Sequence, residues 1–330
     1  MRDGAYLTTM ARCVLPGNWG KYSLTFWKNF IHFQSQKGTE IVKKLSLFLF
    51  MALSPIVAHA DDVLDMEPAP KTLKLNVRRM GLELSKTTVT NAREYADSPV
   101  SALNASSQDY IKGISDIVLE YNHGRFKWDN GLFMEYGKTT LKPYDGPTTT
   151  DQNADKIEFT SDLSHACWDF SGLKFGPTVR GAYDTQFEDN PDAPRQQIAR
   201  VSAGLSLFDH KILKSLYATG LYEYDFTYGH AQTSKTGVEA GWRLEYAVRD
   251  GVKISSNGYY REYLHYSDYV GTDLERDLSA VLRLDTNLWS NFTMGPYLQY
   301  RLAKARAADV YGSNFIIGVS FNYITKFELM

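Results

Sequence analysis

From Thr72 to Phe327 apolar and polar residues alternate with a period of two. This is the pattern of strands with one apolar face, not the 3.6-residue period of an amphipathic helix. Phe126, Trp128, Asn130, Leu132, Met134 and Tyr136 share one face of a segment, and Lys127, Asp129, Gly131, Phe133, Glu135 and Gly137 share the other. Val238, Ala240, Trp242, Leu244, Tyr246 and Val248 likewise oppose Gly237, Glu239, Gly241, Arg243, Glu245 and Ala247. The alternation resolves into about twelve strands, beginning near residues 72, 113, 125, 156, 173, 197, 215, 237, 252, 273, 292 and 313. A phase slip between Val77 and Met80 predicts a bulge in the first. Several runs exceed ten residues, long for a globular sheet and suited to tilted membrane strands.

The connections alternate in length. Asn122 to Gly124, Trp168 to Gly172, Arg249 to Gly251 and Leu288 to Asn291 are short. Ser85 to Lys112, Lys142 to Asp155, Glu188 to Gln196, Gly229 to Lys235 and Lys304 to Gly312 are long and polar. Transmembrane barrels have short periplasmic turns and longer external loops, whereas a soluble sandwich has no reason to keep the alternation. The expected fold is therefore all-β: a transmembrane, antiparallel, up-and-down barrel of about 12 strands over residues 72–327, with both termini periplasmic. Its expected location is the bacterial outer membrane.

Aromatic residues gather at strand ends. Tyr121, Phe126, Trp128, Trp168, Phe170, Trp289 and Phe292 lie beside short turns, and Tyr136, Phe187, Tyr228, Tyr260 and Tyr266 lie nearer long loops. Two such groups match the aromatic belts of two membrane interfaces. In the last segment Phe315, Ile317, Val319, Phe321, Tyr323 and Phe327 share a face, broken only by Thr325. An aromatic, alternating final strand resembles the assembly signal read by the barrel-assembly machinery, although Glu328 to Met330 run past it as a short tail.

Composition adds little until the leader is removed. Mean hydropathy is −0.35, which excludes a bundle of membrane helices but not a barrel, where only alternate residues need be apolar. The 22 Tyr suit strands and interfaces alike. Ile41 to Lys44, the apolar run Leu45 to Val57, and Ala58-His59-Ala60 follow the basic, apolar and small-residue order of a secretory signal peptide. Residues 42–60 are thus expected to be the signal peptide and 61–71 a periplasmic N-terminal segment. Residues 1–41 read as an upstream translation artefact or an extended n-region. Residues 1–60 hold 7 Lys/Arg and 2 Asp/Glu, so their removal leaves 29 basic and 36 acidic side chains, near −7. That balance argues against nucleic acid as a partner. Cys13 would leave with the leader and Cys167 would remain alone.

One stretch carries a family resemblance. Trp128-Asp129-Asn130-Gly131-Leu132, Tyr136-Gly137, Asp155 to Ser161 and Thr185-Gln186-Phe187 resemble a family of uncharacterised outer-membrane proteins, a domain of unknown function. The likeness covers roughly residues 115–187 and lacks the Asn-Trp-x-x-Gly-Gly element of that family's first hairpin. It implies a barrel and carries over no catalytic or binding residue.

In such a barrel the polar face meets the lumen. The candidate pore-lining residues are Arg180, Glu223, Asp225, Glu239, Arg243, Glu245, Lys253, Arg261, Arg283, Asp285 and Arg301. Centring hairpins on the short turns sets Glu120 opposite Lys127, Glu239 opposite Arg261, Lys156 near Asp184 and Arg200 near Glu223, pairs that brace a sheet. Lys253, Arg243, Arg283 and Arg301 form a basic strip interleaved with or facing Glu223, Asp225, Glu245, Asp277 and Asp285. A mixed lining fits weak selectivity rather than a strong ion filter. Inward Tyr217, Tyr259, Tyr263 and Tyr297 narrow the passage, stack against sugars or merely fill space, and the loop from Ser85 to Lys112 has two readings, folded into the lumen or disordered outside.

Chemistry beyond passage finds little support. Ser256-Asn257-Gly258 is similar to the Ser-Asn-Gly of outer-membrane phospholipases, but Ile254 stands where their general-base His is needed. No HExxH, phosphate loop or metal-ligand spacing occurs, so no catalytic residue, metal or cofactor is expected. The expected function is a porin-like channel for small polar solutes, set in outer-membrane lipid and lipopolysaccharide. The alternatives are a non-conducting receptor or structural barrel and, last, a lipid-acting enzyme.

Overall fold

The computed structural model describes residues 71–95, 103, 105–143, 147–170, 173–187, 194–229 and 231–330. The leader expected over residues 1–60 lies outside them, as does all but the last residue of the 61–71 segment. The strands are β1 (Thr72–Thr90), β2 (Ala105–His123), β3 (Phe126–Pro143), β4 (Thr149–His165), β5 (Trp168–Phe170), β6 (Leu173–Thr185) and β7 (Ile198–Phe208). They continue as β8 (Leu213–Asp225), β9 (Thr233–Arg249), β10 (Val252–Tyr266), β11 (Leu274–Trp289), β12 (Phe292–Ala305) and β13 (Gly312–Glu328).

Except for β4 and β5, each strand pairs antiparallel with its chain neighbours, and β1 pairs with β13, so the sheet closes on itself. β4 and the short β5 both pair with β6 and form one stave interrupted at Ala166-Cys167. The wall is thus a closed 12-strand barrel, as the alternation predicts. Closure leaves no open edge, so each backbone group in the wall has a partner without water. The tail belongs to the closure: Glu328 pairs with Lys74, and Leu329 N donates to Leu73 O at 2.8 Å.

The apolar faces point outward. Leu82 (59% exposed), Val201 (55%) and Ile317 (55%) alternate with inward Glu83, Ser202 and Asn314, all nearly inaccessible. Aromatic pairs stand at the short-turn end, with Trp168 stacked on Phe175 at 5.2 Å and Phe292 between Trp289 and Tyr323. Tyr136 meets Phe187 edge-on toward the loop end. A closed barrel with an apolar outer band between aromatic girdles is an outer-membrane barrel, and the bacterial outer membrane is its location. No helix among the described residues is long and apolar enough to cross a membrane.

Three expectations need correction. Half of the connection from Ser85 to Lys112 is strand: β1 runs to Thr90 and β2 starts at Ala105. β4 starts at 149 rather than near 156. The polar extensions lie beyond the 9–11 residues a bilayer requires, so nothing forces apolar alternation there. Cys167 is disulfide-bonded rather than the lone thiol expected.

The bulge falls where the phase slips, between Val77 and Met80. Its consequence is chemical: two successive side chains, Arg78 and Arg79, face the lumen, one near Glu120 at 3.9 Å and the next on Glu83.

Candidate functional site: the lumenal charge lattice

The candidate site is the inner wall. Strand alternation puts Arg180, Glu223, Asp225, Glu239, Arg243, Glu245, Lys253, Arg261, Arg283, Asp285 and Arg301 on the face opposite to exposed apolar chain neighbours such as Val179, Val238, Leu244 and Leu282. How they combine depends on register.

One cluster runs from β6 to β12. Arg200 reaches Asp184 and Glu223, each at 3.0 Å. Glu223 also accepts from Tyr263 at 2.8 Å and lies 3.7 Å from Lys235. Glu239 holds Arg261 at 2.5 Å and accepts from Tyr217 at 2.7 Å. Asp277 holds Arg301 at 2.9 Å and accepts from Tyr259 at 2.9 Å. Three inward tyrosines are therefore hydrogen-bond donors that fix carboxylates, a role neither a filler nor a stacking platform describes. Arg261 completes the arrangement by lying 4.7 Å over the Tyr259 ring.

A second cluster joins β3, β2, β1, β13 and β11. Lys112 bridges Glu135 at 2.8 Å and Glu83 at 3.5 Å. Glu83 also meets Arg79, and Arg283 of β11 at 3.4 Å, a contact that passes over two intervening strands. Arg283 in turn holds Asp285 and Ser320, each at 3.0 Å. Glu83, Arg283 and Asp285 keep side-chain exposures of only 3%, 7% and 5%, so this cluster is shielded from lumenal water.

The remaining pairs are wetter. Arg180 lies 3.2 Å from Asp162 and 3.6 Å from Glu158, with exposures of 29% and 35% for the first pair. Lys156 meets Glu158 at 2.5 Å and is 40% exposed. Arg243 holds Glu245 at 2.6 Å, each about a quarter exposed. Asp225 accepts from Thr227 N and fixes the β8–β9 connection, and Lys253 pairs across the ladder with Asp285.

The expected pairs divide cleanly. Glu239–Arg261 and Arg200–Glu223 face each other as predicted. Glu120 instead faces Asp129, and Lys127 faces Asn122. The turn there has two residues, Gly124-Arg125, with Gly124 at φ +59°, a left-handed position open to glycine; the tighter turn moves the register by two. Asp184 sits directly opposite Glu158, and Lys156, two residues along the same face, lies near it as expected. The basic strip does lie on neighbouring strands, but Arg243, Arg283 and Arg301 are individually paired with Glu245, Asp285 and Asp277, so among the described residues these acids do not form a wall apart from the strip. Arg78, Arg79, Glu83, Lys112 and Glu135 were missed. The bulge scrambles the phase on β1, and Lys112 sat at the end of the presumed loop.

Both mouths carry inward-folded features. At the loop end a 3-10 turn, Ala92–Tyr95, carries Tyr95 onto the inner wall, where Tyr95 (2% exposed) and Leu103 (0%) pack with Ala303 and Ala305. The Tyr95 hydroxyl donates to Val310 O at 2.7 Å and Ala303 O at 3.0 Å. Of the two readings of this connection, its ends thus follow the inward one. At the short-turn end Asp209, in the β7–β8 turn, accepts from Lys127 at 2.9 Å and Lys174 at 3.0 Å, tying β3 to β6 across the broken stave. Burial alone would raise the Asp209 pKa, but the two ammonium groups outweigh it and hold the carboxyl below its ordinary value.

Ser256 and Asn257 project to opposite faces, Ser256 accepting the Trp242 indole N–H at 3.2 Å, so the Ser-Asn-Gly triplet gathers no shared site. Among the described residues no group of His, Cys, Asp and Glu is arranged to hold a metal ion.

No family model matches the chain, and no curated protein matches it. Among solved structures, an outer membrane channel from Pseudomonas putida F1 is 12% identical with a TM-score of 0.40, over 81% of this chain and 100% of that one. Outer membrane phospholipase A from Escherichia coli is 12% identical with a TM-score of 0.39, over 81% and 95%. The translocator domain of the autotransporter NalP from Neisseria meningitidis is 10% identical with a TM-score of 0.36, over 86% and 96%. Channel, enzyme and translocator stand side by side, and none transfers an activity to this chain.

Proposed function

We propose that the protein is an outer-membrane channel that passes small polar solutes with weak selectivity. The observation that carries this reading is the exposure of Lys156, Asp162 and Arg180, at 40%, 35% and 29%, on the inner face of a closed wall. Charged side chains keep that accessibility inside a barrel only where water enters. Because Lys156, Arg180 and Arg243 each have an acid beside them, the lining has low net field and favours neither ion sign strongly. Outer-membrane lipid, lipopolysaccharide and the barrel-assembly machinery are the partners this reading requires. Membership of the uncharacterised outer-membrane family resembled over residues 115–187 is part of the same proposal.

The test is ion selectivity by reversal potential in a planar bilayer under a salt gradient. Arg243→Glu, at a wet pair, is expected to move the channel toward cations without loss of folding. An unchanged reversal potential would remove Arg243 from the conduction path.

A second reading, a non-conducting receptor or structural barrel, draws on Tyr95 and Leu103 packed into one mouth and on the Lys127–Asp209–Lys174 tie at the other. Absence of conductance in a folded barrel would favour it. A lipid-acting enzyme ranks third.

A further inference from the structure

The outer wall is not uniformly convex. A groove of about 610 Å³ crosses β1, β2, β3, β4 and β6, with Leu75, Leu119, Leu132, Phe159 and Tyr183 among its walls. Gly181 lies in it, and a Cβ added there would meet nothing within 4 Å. Its middle is polar although it faces lipid. The Trp128 indole donates to Ser161 Oγ at 2.9 Å, and Ser161 donates to Asn130 Oδ1 at 3.0 Å. This relay uses the acceptor of the Asn130 amide and leaves its NH₂ donors without a partner among the described residues. An amide donor facing hydrocarbon is costly until an acceptor meets it.

Depth narrows the acceptor. Trp128 belongs to the aromatic girdle beside the short turn, two residues from Phe126, at the interfacial level. Asn130 lies two residues farther in, about 5 Å along the membrane normal for a strand tilted near 45°. That is the level of the glycerol-ester carbonyls of the periplasmic leaflet, the phospholipid leaflet. We propose that the groove is a binding site for one glycerophospholipid, whose ester carbonyl accepts from Asn130 Nδ2 while an acyl chain lies along Phe159 and Leu119. A carbonyl supplies what the relay lacks, and a flexible chain fills a shallow groove that rigid side chains leave empty.

The experiment is native mass spectrometry of the protein released from nanodiscs of diacyl phosphatidylethanolamine, with the dialkyl ether analogue as competitor. The wild type is expected to retain one lipid and to prefer ester over ether about fivefold, the scale of one hydrogen bond. Gly181→Leu should lower retention at least about tenfold by filling the groove, and Asn130→Leu should abolish the ester preference. A shift in electrophoretic mobility between unheated and heated samples, equal to that of the wild type, shows that each variant is folded. Equal retention by wild type and Gly181→Leu, or no ester preference in the wild type, would overturn the proposal. So would a wild-type dimer that Gly181→Leu dissociates, which would make the occupant a second copy of the chain.

Discussion

Replacing Arg283 by Met should destabilise the barrel sharply, and the cost follows from the geometry. Arg283 stands 3.0 Å from Asp285 and 3.4 Å from Glu83, and all three side chains are at most 7% exposed. At an effective dielectric constant of about 20, each contact is worth roughly 5 kcal/mol before desolvation is counted. Removing the cation leaves Asp285, among the described residues, with a hydrogen bond from Asn322 at 3.4 Å and Lys253 opposite it on the ladder, while Glu83 keeps Arg79 and Lys112. Breaking such a pair by deleting one member costs about 3–5 kcal/mol, because the surviving charge stays desolvated. The double variant Arg283→Met, Asp285→Leu removes the orphaned charge as well and should recover most of the loss. Urea unfolding of the barrel in lipid vesicles, followed by tryptophan fluorescence, measures both. A loss below about 1 kcal/mol in the single variant would mean that lumenal water solvates Asp285 freely. The division between a dry lattice and a wet passage would then fail.

Further outcomes follow from other parts of the wall. The Asp209 carboxyl has a lowered pKa in the folded state, so its stabilising effect is complete above the ordinary aspartate value of about 3.9 and drains away as pH falls through the depressed one. Asp209→Asn should therefore reduce stability at pH 7 and flatten the acid limb of the stability curve; parallel curves for variant and wild type would refute the tie to Lys127 and Lys174. Leu282→Arg, on the outward face of β11 at 46% exposure, should cost about 2–4 kcal/mol in the same vesicle assay if that position lies near the bilayer midplane. A neutral effect would put that stretch outside the hydrocarbon. Tyr95→Ala removes a buried ring from the inner wall at the loop-end mouth and should cost about 3 kcal/mol, read as a lower unfolding midpoint; an unchanged midpoint would mean the ring is not anchored there.

The closed barrel was legible in the sequence because a bilayer imposes period-two alternation on each segment that crosses it, from Phe126–Tyr136 to Val238–Val248. Where strands extend past the bilayer the rule lapses, which is why Ser107 to Lys112 and Thr149 to Asp155 read as loop. Parity likewise sorts the residues of each strand into two faces. Which of them touch was not legible. Glu239–Arg261 and Arg200–Glu223 followed from turn centres, but the Gly124-Arg125 turn shifts a register, and a shift of two re-pairs a lattice of charges. The Glu83–Arg283 contact spans non-adjacent strands and depends on barrel curvature, for which no local pattern exists. The tyrosines were visible as inward residues, yet their bonds to Glu223, Glu239 and Asp277 required the assembled wall.

The most direct test of the account is single-channel recording of the refolded protein in a planar bilayer. Discrete, reproducible conductance steps with weak ion preference, shifted toward cations by Arg243→Glu, are the predicted result. A folded barrel that gives no steps at any applied voltage would contradict it and leave the lumen closed.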